Sequence, residues 1–435
     1  MRFARSVGAV VLAFLCPPAA SAQQAAPDGD LLNLYLDCPV MGCEDSDFFR
    51  RAVPFVNWVR DSQVSDVHVL VTSQPTGGGG RQYTLAFIGV GDRVGLDQEL
   101  SHASAGDATA DAIRNGLVEK LKLGLVRYVQ DTPVADRLRV DFEGEDDLGV
   151  GSGDSAGGAG DPWDSWVFTL NGSGFVNGQS TSRFSNFFGS VGANRTTEAW
   201  KLDLEGNFSQ NVQEFEVPED DGSVSTVKEV REDWGAGGSA VRSAGAQWAI
   251  GVRADIGSST FLNQNLRASI KPGVEYNVFP YSESSRRSLT FQYLIGPNHF
   301  SYNERTIFGH TEETRLQESL TARLSVVAPW GRWTTSVTGA NYLHDASKYN
   351  VAISGNVNVR LFRGFSIRVA GNYSWIRDQL FVAAAGATQE EILLQQRQLQ
   401  TSYRYFTSFG VEYRFGSIFN NVVNPRFGSG STFFF

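Results

Sequence analysis

Cysteine and histidine are scarce in this sequence, and their scarcity restricts the chemistry that the chain can carry out. Its 435 residues include three cysteines and five histidines. The histidines are scattered without the short, regular spacing of a zinc site; they are His68, His102, His299, His310 and His344. We therefore expect no metal ion and no cofactor.

Basic residues are outnumbered by acidic ones. The chain has 37 Lys and Arg against 47 Asp and Glu, which gives a formal net charge of −10. Proteins that bind nucleic acid concentrate Lys and Arg on one surface. The charge balance therefore argues against a nucleic-acid partner.

Long hydrophobic runs are missing as well. No apolar stretch approaches the roughly 18 residues that a membrane-spanning helix needs. The short apolar stretch at residues 7–15 follows two arginines and precedes a small-residue ASA site. This order predicts a secretory signal peptide over residues 1–22. A lipoprotein signal at Cys16 is the alternative, which the bulky residue before that cysteine disfavours.

What the sequence does contain is two-residue alternation from residue 165 to 416. Residues 200–208, WKLDLEGNF, put apolar residues at even positions and mostly charged or polar ones at odd positions. Successive residues of a strand point to opposite faces, so this pattern predicts strands. The twelve predicted strands are 165–177, 184–196, 199–216, 226–242, 246–258, 266–281, 286–302, 314–329, 332–344, 348–363, 365–381 and 401–416.

Two architectures compete for these strands. A soluble sandwich would bury the apolar face as its core, whereas a transmembrane barrel turns that face toward lipid. Many segments reach the ~9–11 residues of a tilted spanning strand. Aromatic residues cluster at strand ends, as in interfacial girdles: Trp166, Trp200, Trp248, Trp330, Trp333, Trp375, Tyr403 and Tyr413. We therefore predict a transmembrane antiparallel β-barrel of about twelve strands over residues 165–416.

The connections between the predicted strands alternate in length. Several connections after even-numbered strands of the barrel are tight, such as 329–331 and 362–364, whereas 304–314 and 383–400 are long and polar. Outer-membrane barrels have short periplasmic turns and longer external loops. We therefore expect both ends of the barrel on the periplasmic side.

The last predicted strand, YRYFTSFGVEYRF at 403–415, alternates and ends in an aromatic residue. It resembles the β-signal of outer-membrane β-barrel proteins of Gram-negative bacteria. The resemblance implies contact with outer-membrane lipid and recognition of Tyr413 and Phe415 by the barrel-assembly machinery. A tail, residues 417–435, departs from that pattern. Phe435 is the alternative signal, but the proline and GSGS stretch before it interrupt any strand there.

Residues 23–143 are expected to form a small periplasmic α+β domain. Strands are predicted at 31–37, 66–73, 81–89 and 137–143, and helices at 46–61 and 107–132. The order βαββαβ is that of the ferredoxin-like fold. The stretches TGGGGRQYTLAFIG and LVEKLKLGLVRYV are similar to N-terminal regions of uncharacterised outer-membrane proteins, a resemblance that implies no activity. Gly and Asp enrichment predicts a flexible linker at 144–164.

Export would place Cys38 and Cys43 in a compartment where disulfides form. A metal site would need more ligands, and a thioredoxin-like motif has two intervening residues instead of four. We predict a disulfide that closes the loop between the first strand and the first helix. Asp45, Ser46 and Asp47 then mark the start of that helix.

His299 and Ser301 are two residues apart in GPNHFSYN (296–303), so they share one face of a strand. Outer-membrane phospholipases, which are twelve-stranded barrels, resemble this chain in that spacing. Those enzymes also use calcium and a polar residue on a neighbouring strand to orient the histidine, and their fuller motifs are missing here. His299 and Ser301 are therefore weak candidates for a catalytic pair.

The charged residues on the second face of the strands are the stronger indication of function. Charges are tolerated inside a membrane protein where the interior is wet or the charges are paired. The residues expected to face the lumen are Lys201, Asp203, Glu205, Arg253, Asp255, Arg323, Arg360, Arg368, Glu412 and Arg414.

The sequence thus predicts a non-enzymatic protein of the Gram-negative outer membrane, with its N-terminal domain in the periplasm. Its expected role is that of a narrow channel or a solute-binding, porin-like barrel. The alternative is an envelope scaffold whose periplasmic domain recruits a protein partner. An outer-membrane lipid hydrolase is the third and least favoured function.

Overall fold

The chain forms two β-sheets that are separate in sequence. The computed structural model describes residues 31–139, 163–218, 223–384, 400–417, 419 and 421. A five-stranded sheet has the order β2-β1-β3-β4-β5, and a twelve-stranded sheet follows the chain order from β6 to β17. We refer to residues 31–139 as the α/β domain.

The α/β domain begins with a parallel β-α-β unit and continues as an antiparallel meander. β1 pairs in parallel with β2 and β3, while β3, β4 and β5 are antiparallel neighbours. Its elements are β1 (Asn33–Asp37), α1 (Ser46–Ala52), β2 (Asn57–Trp58), β3 (Val67–Pro75), β4 (Arg81–Gly89), β5 (Gln98–Ser104) and α2 (Ala110–Val129), with short 3-10 helices at Ser62–Val64, Gly91–Arg93 and Ala135–Arg137.

This topology corrects the predicted ferredoxin-like order βαββαβ. β5 was not expected, because QELSHAS has one strongly apolar residue, Leu100, to mark its inner face. A ferredoxin-like sheet splits its βαβ units with an inserted strand, whereas β1 and β3 are direct neighbours here. The predicted strand at 137–143 begins in the third 3-10 helix, and its residues 140–143 lie outside the described residues.

The core of the α/β domain lies between one face of its sheet and the two helices. α1 ends at Ala52 instead of reaching residue 61, because Pro54 has no amide hydrogen and cannot continue the helix. The fully buried side chains of this core include Leu34, Phe49, Val53, Val67, Tyr83, Leu85, Phe87, Leu117, Leu121, Leu125 and Tyr128.

All twelve strands predicted over residues 165–416 are present. They are β6 (Trp166–Gln179), β7 (Ser182–Thr196), β8 (Trp200–Pro218), β9 (Val224–Ser243), β10 (Trp248–Ser259), β11 (Gln264–Asn277), β12 (Arg287–Tyr302), β13 (Glu312–Ala328), β14 (Gly331–Tyr342), β15 (Asp345–Phe362), β16 (Phe365–Ile376) and β17 (Tyr403–Tyr413), with a 3-10 helix at Tyr281–Glu283. Each strand is antiparallel to the next. β6 and β17 form the two edges, and no ladder joins these two fully described strands.

One end of this sheet, which we call the turn end, carries the connections β7–β8, β9–β10, β11–β12, β13–β14 and β15–β16. The first residue of β6 and the last residue of β17 lie at the same end, because an even number of antiparallel strands returns the chain to its starting side. Within the described part of the chain, neither α-helix is long and apolar enough to cross a membrane.

Candidate functional site

The cross-strand register collects polar residues on one face of the twelve-stranded sheet. Asp203 pairs with Ser239, Ser239 with Arg253, and Arg253 with Lys271. At the other side of the sheet, Arg360 pairs with Ser366, which pairs with Glu412. Strand alternation and this register give the predicted lumen residues on β8, β10, β13, β15, β16 and β17 one common face, which we call the polar face. Arg414 follows β17 by one residue.

The opposite face carries large apolar side chains that are open to the surroundings. Leu170 on β6 is 81% exposed and Phe409 on β17 is 84% exposed. Cross-strand pairs such as Leu170 with Val191 and Val369 with Phe409 extend this apolar face from strand to strand. A face of this kind is unfavourable in water, since each Å² of apolar surface costs about 25 cal/mol.

The α/β domain lies against the turn end of the sheet. Its contacts lie on β6, at the β7–β8 and β11–β12 connections and near the end of β15. Gly79 packs against Val167 of β6, and Gly77 against Thr196 at the end of β7. Glu99 forms an ion pair with Arg286 between β11 and β12, at 3.2 Å.

The strongest of these contacts joins β1 to β15. Arg360 donates a hydrogen bond from Nη1 to Oδ2 of Asp37 over 2.8 Å, and the same nitrogen lies 3.3 Å from the carbonyl oxygen of Pro329. The guanidinium lies 5.2 Å from the ring centroid of Tyr35. The buried imidazole of His68 has its Nε2 3.7 Å from the Asp37 carboxylate.

This environment controls the ionisation of both side chains of β1. Burial raises the pKa of the Asp37 carboxyl, but His68 and the Arg360 guanidinium outweigh that effect and hold its pKa at about 2. Burial raises the pKa of the Tyr35 hydroxyl to about 12, so the hydroxyl keeps its proton. At neutral pH the junction therefore contains a carboxylate and a phenol that can donate a hydrogen bond.

The C-terminal segment contributes to the same junction. Phe419 forms an antiparallel bridge with Val59 of the α/β domain. The Asn421 side chain accepts a hydrogen bond from the Trp58 amide and donates one to Asn57. Tyr413 ends β17 and Phe415 is exposed beyond it. Their role as an assembly signal stays a prediction, and most of the tail at 417–435 lies outside the described residues.

A cavity of about 580 Å³ lies at this junction, between the α/β domain and the ends of β15, β16 and β17. Its wall combines residues 60–63 of the domain with the polar-face residues of those strands. Five arginines line it: Arg60, Arg360, Arg363, Arg368 and Arg414. Predicted lumen residues and unpredicted domain residues thus meet at one site.

The cysteine prediction is confirmed. Cys38 and Cys43 form a disulfide with Cα atoms 5.8 Å apart, and it closes the loop between β1 and α1. The N-cap of α1 is Asp45, which accepts a hydrogen bond from the Phe48 amide, whereas Ser46 and Asp47 belong to the helix. No group of three or more His, Cys, Asp or Glu side chains in the described part of the chain could hold a metal ion.

His299 and Ser301 lie near the end of β12 that is far from the α/β domain. Nδ1 of His299 is 2.9 Å from the Thr314 hydroxyl on β13, and Nε2 is 3.6 Å from Glu312. Thr314 is a polar partner on the neighbouring strand that the sequence did not identify. No hydrogen bond joins His299 to Ser301, two side chains that the structure describes.

The far end of the sheet contains a second packed group. Phe300, Tyr302, Tyr342 and Leu380 form a small buried cluster at the ends of β12 and β14 and after β16. The Tyr302 hydroxyl donates a hydrogen bond to the buried Glu313, which also forms an ion pair with Arg315. This cluster packs the ends of β12 and β14 against the segment that follows β16.

Comparisons with known proteins do not assign a family. No protein-family model matches the chain, and no curated protein sequence matches it. Among solved structures, the NanC porin is similar with a TM-score of 0.28 and 9% identity, over 57% of this chain and 99% of that one. The translocator domain of the autotransporter NalP from Neisseria meningitidis has a TM-score of 0.18 and 11% identity, over 57% of this chain and 82% of that one. Both scores are too low to support a conclusion about this chain.

Proposed function

We propose that this protein is an outer-membrane β-barrel of a Gram-negative bacterium that admits or binds small solutes in a polar lumen. The observation that carries the proposal is the division of twelve antiparallel strands into a polar face and an exposed apolar face. Lipid is the solvent in which such an apolar face is stable, and a polar interior is typical of these barrels.

Closure of the barrel belongs to the same proposal. β6 and β17 are free edges, and unpaired backbone groups cost several kcal/mol each in hydrocarbon. With twelve strands, β6 and β17 run in opposite directions and can pair as an antiparallel ladder. We expect a folded barrel whose mobility on a denaturing gel changes on heating. A protein that fractionates as soluble would contradict the membrane location.

The α/β domain is proposed to lie in the periplasm and to restrict the turn-end opening. Support comes from its contacts with β6, the β7–β8 and β11–β12 connections, and β15. Such a position makes the domain a gate for the lumen. Barrel-assembly machinery and outer-membrane lipid are the partners that this location implies.

Single-channel conductance in planar bilayers tests the proposal. An engineered disulfide between the α/β domain and β6, which we call the lock, fixes the domain against the sheet. A Cβ at Gly79 would lie 3.8 Å from the Cβ of Val167, close to the mean separation of ~3.8 Å in disulfides. We expect the oxidised Gly79→Cys/Val167→Cys variant to conduct less than the reduced one. Each single variant and the wild type, with and without reductant, control for the native disulfide and for strain at Gly79.

The alternative function is a non-enzymatic scaffold whose periplasmic domain recruits a protein partner. In that case the barrel is sealed, and neither the wild type nor the reduced double-cysteine variant produces conductance steps. Conductance steps from the wild type and the reduced double-cysteine variant, with smaller steps from the oxidised variant, would reject the scaffold as the whole function.

A lipid hydrolase is the second alternative, and the contact between His299 and Thr314 is the observation in its favour. A hydrogen-bonded neighbour can orient a catalytic imidazole. Against it, Nε2 of His299 lies near Glu312. In a catalytic pair, this nitrogen would have to accept the proton of the nucleophilic serine. Phospholipid hydrolysis with calcium, lost in Ser301→Ala and reduced in Thr314→Val, would support the enzyme. Wild-type protein without activity would reject it.

A further inference from the structure

The cavity at the junction has more positive charge than its own carboxylates neutralise. Arg360 is paired with Asp37, Arg363 lies 3.7 Å from Asp61, and Arg414 is paired with Glu412. These pairs account for three of the five arginines that line the cavity. Arg60 and Arg368 form no ion pair with any residue in the described part of the chain.

The two remaining arginines come from different parts of the fold. Arg60 follows β2 in the α/β domain, and Arg368 lies on the polar face of β16. A ligand between them would therefore contact the domain and the sheet together. Guanidinium groups match carboxylate and phosphate oxygens in bidentate geometry.

Uncharged donors complete the wall of the cavity. The Tyr35 hydroxyl, Ser62, Gln63 and Ser366 are among the lining residues. The volume of about 580 Å³ lies within the range of roughly 300–1,000 Å³ that is usual for small-molecule sites. It is too small for a macromolecule.

We infer that this cavity binds a small solute with at least two negative charges on carboxylate or phosphate groups. The inference rests on the proposed function, because it names the class of solute that the lumen receives. Two uncompensated guanidinium groups, one on each wall, favour a dianion over a monoanion. Binding at this place draws the α/β domain and the ends of β15–β17 together.

Isothermal titration of the full-length protein in detergent tests this inference. Inorganic pyrophosphate and citrate are the two probes, and sucrose is the uncharged control. We expect at least one anion to bind, and binding to weaken as salt screens the charges. A response to pyrophosphate alone assigns a phosphate ligand, and a response to citrate alone assigns a carboxylate ligand.

Three variants locate the site. Arg60→Gln and Arg368→Gln are each expected to weaken binding at least tenfold. Arg323→Gln, which removes a charge from the polar face outside the cavity, is expected to change it less than twofold. Wild-type protein that binds neither anion, or an equal loss in all three variants, would overturn the inference.

Conductance separates this inference from the proposed function. Conductance steps without anion binding would support the channel and reject the dianion site. Anion binding without conductance would support the dianion site and reject the channel.

Discussion

Arg360 at the end of β15 donates a hydrogen bond to Asp37 at the end of β1, over 2.8 Å and across 323 positions of sequence. This contact joins the α/β domain to the turn end of the sheet. Asp37 is nearly buried, with 12% of its side chain exposed, so loss of the arginine would leave a buried carboxylate without its main partner.

Arg360→Ala is therefore expected to loosen the domain by about 1–3 kcal/mol. The fraction of Gly79→Cys/Val167→Cys that forms the engineered disulfide reports the docked population. We expect that fraction to fall in the Arg360→Ala background. Arg323→Ala, on the same polar face but outside the junction, is the matched control. Equal disulfide yields in all backgrounds would show that the ion pair does not hold the domain.

The pKa of Asp37 predicts a dependence of stability on pH. Its value of about 2 lies below the ordinary 3.8, so the folded state binds the proton less tightly than the unfolded state. The resulting stabilisation, about 2 kcal/mol, is present above about pH 4 and is lost as the pH falls through about 2.

Hydrogen exchange of β1 and β3 amides between pH 2 and pH 6 measures this effect. Wild-type and Asp37→Asn protein should differ in protection above about pH 4, after correction for the intrinsic exchange rate. The difference should shrink as the pH falls toward 2, where about half of the Asp37 carboxyl in the folded state is protonated. A difference that stays constant with pH would assign the loss to packing instead of charge.

The twelve strands could be predicted from the sequence because their signal is local. In WKLDLEGNF, apolar and polar residues alternate because successive side chains of a strand point to opposite faces. The residues of the polar face were predicted from the same period of two. β5 was missed for the converse reason. Its inner face carries Gln98, Leu100 and His102, a sequence without the apolar contrast that marks a strand.

The junction could not be predicted from the sequence, because no local pattern specifies it. Arg360 was expected to face a lumen, but its partner Asp37 is an unremarkable acid before Cys38. Their proximity depends on where the whole domain lies against the sheet. The contact of His299 with Thr314 could not be predicted either, because it depends on the register of β12 against β13.

The Cys38–Cys43 disulfide is expected to stabilise the start of the α/β domain modestly. The closed loop is short, because the cysteines are five positions apart, so the bond removes little entropy from the unfolded chain. Cys38→Ser/Cys43→Ser should lose about 2 kcal/mol, seen as faster hydrogen exchange in β1 and α1. Reductant should reproduce this effect in the wild type and have no effect on the variant. Unchanged exchange in both would contradict the prediction.

Gly124 on α2 provides the space in which the Phe87 ring packs. A Cβ at this position would lie 2.0 Å from Cζ of Phe87, and that ring is fully buried against Tyr128. Gly124→Ala should therefore destabilise the domain by about 1–3 kcal/mol, although alanine favours the helix by about 1 kcal/mol. Hydrogen exchange of α2 amides measures the change.

Gly78→Ala is the control for this variant, because an added Cβ there meets no atom within 4 Å. Phe87→Leu should partly rescue Gly124→Ala, since the shorter side chain frees the space that the new methyl group takes. Slower exchange of α2 in Gly124→Ala would mean that helix propensity outweighs the steric conflict. In that case, the close packing of α2 on β4 does not require glycine at position 124.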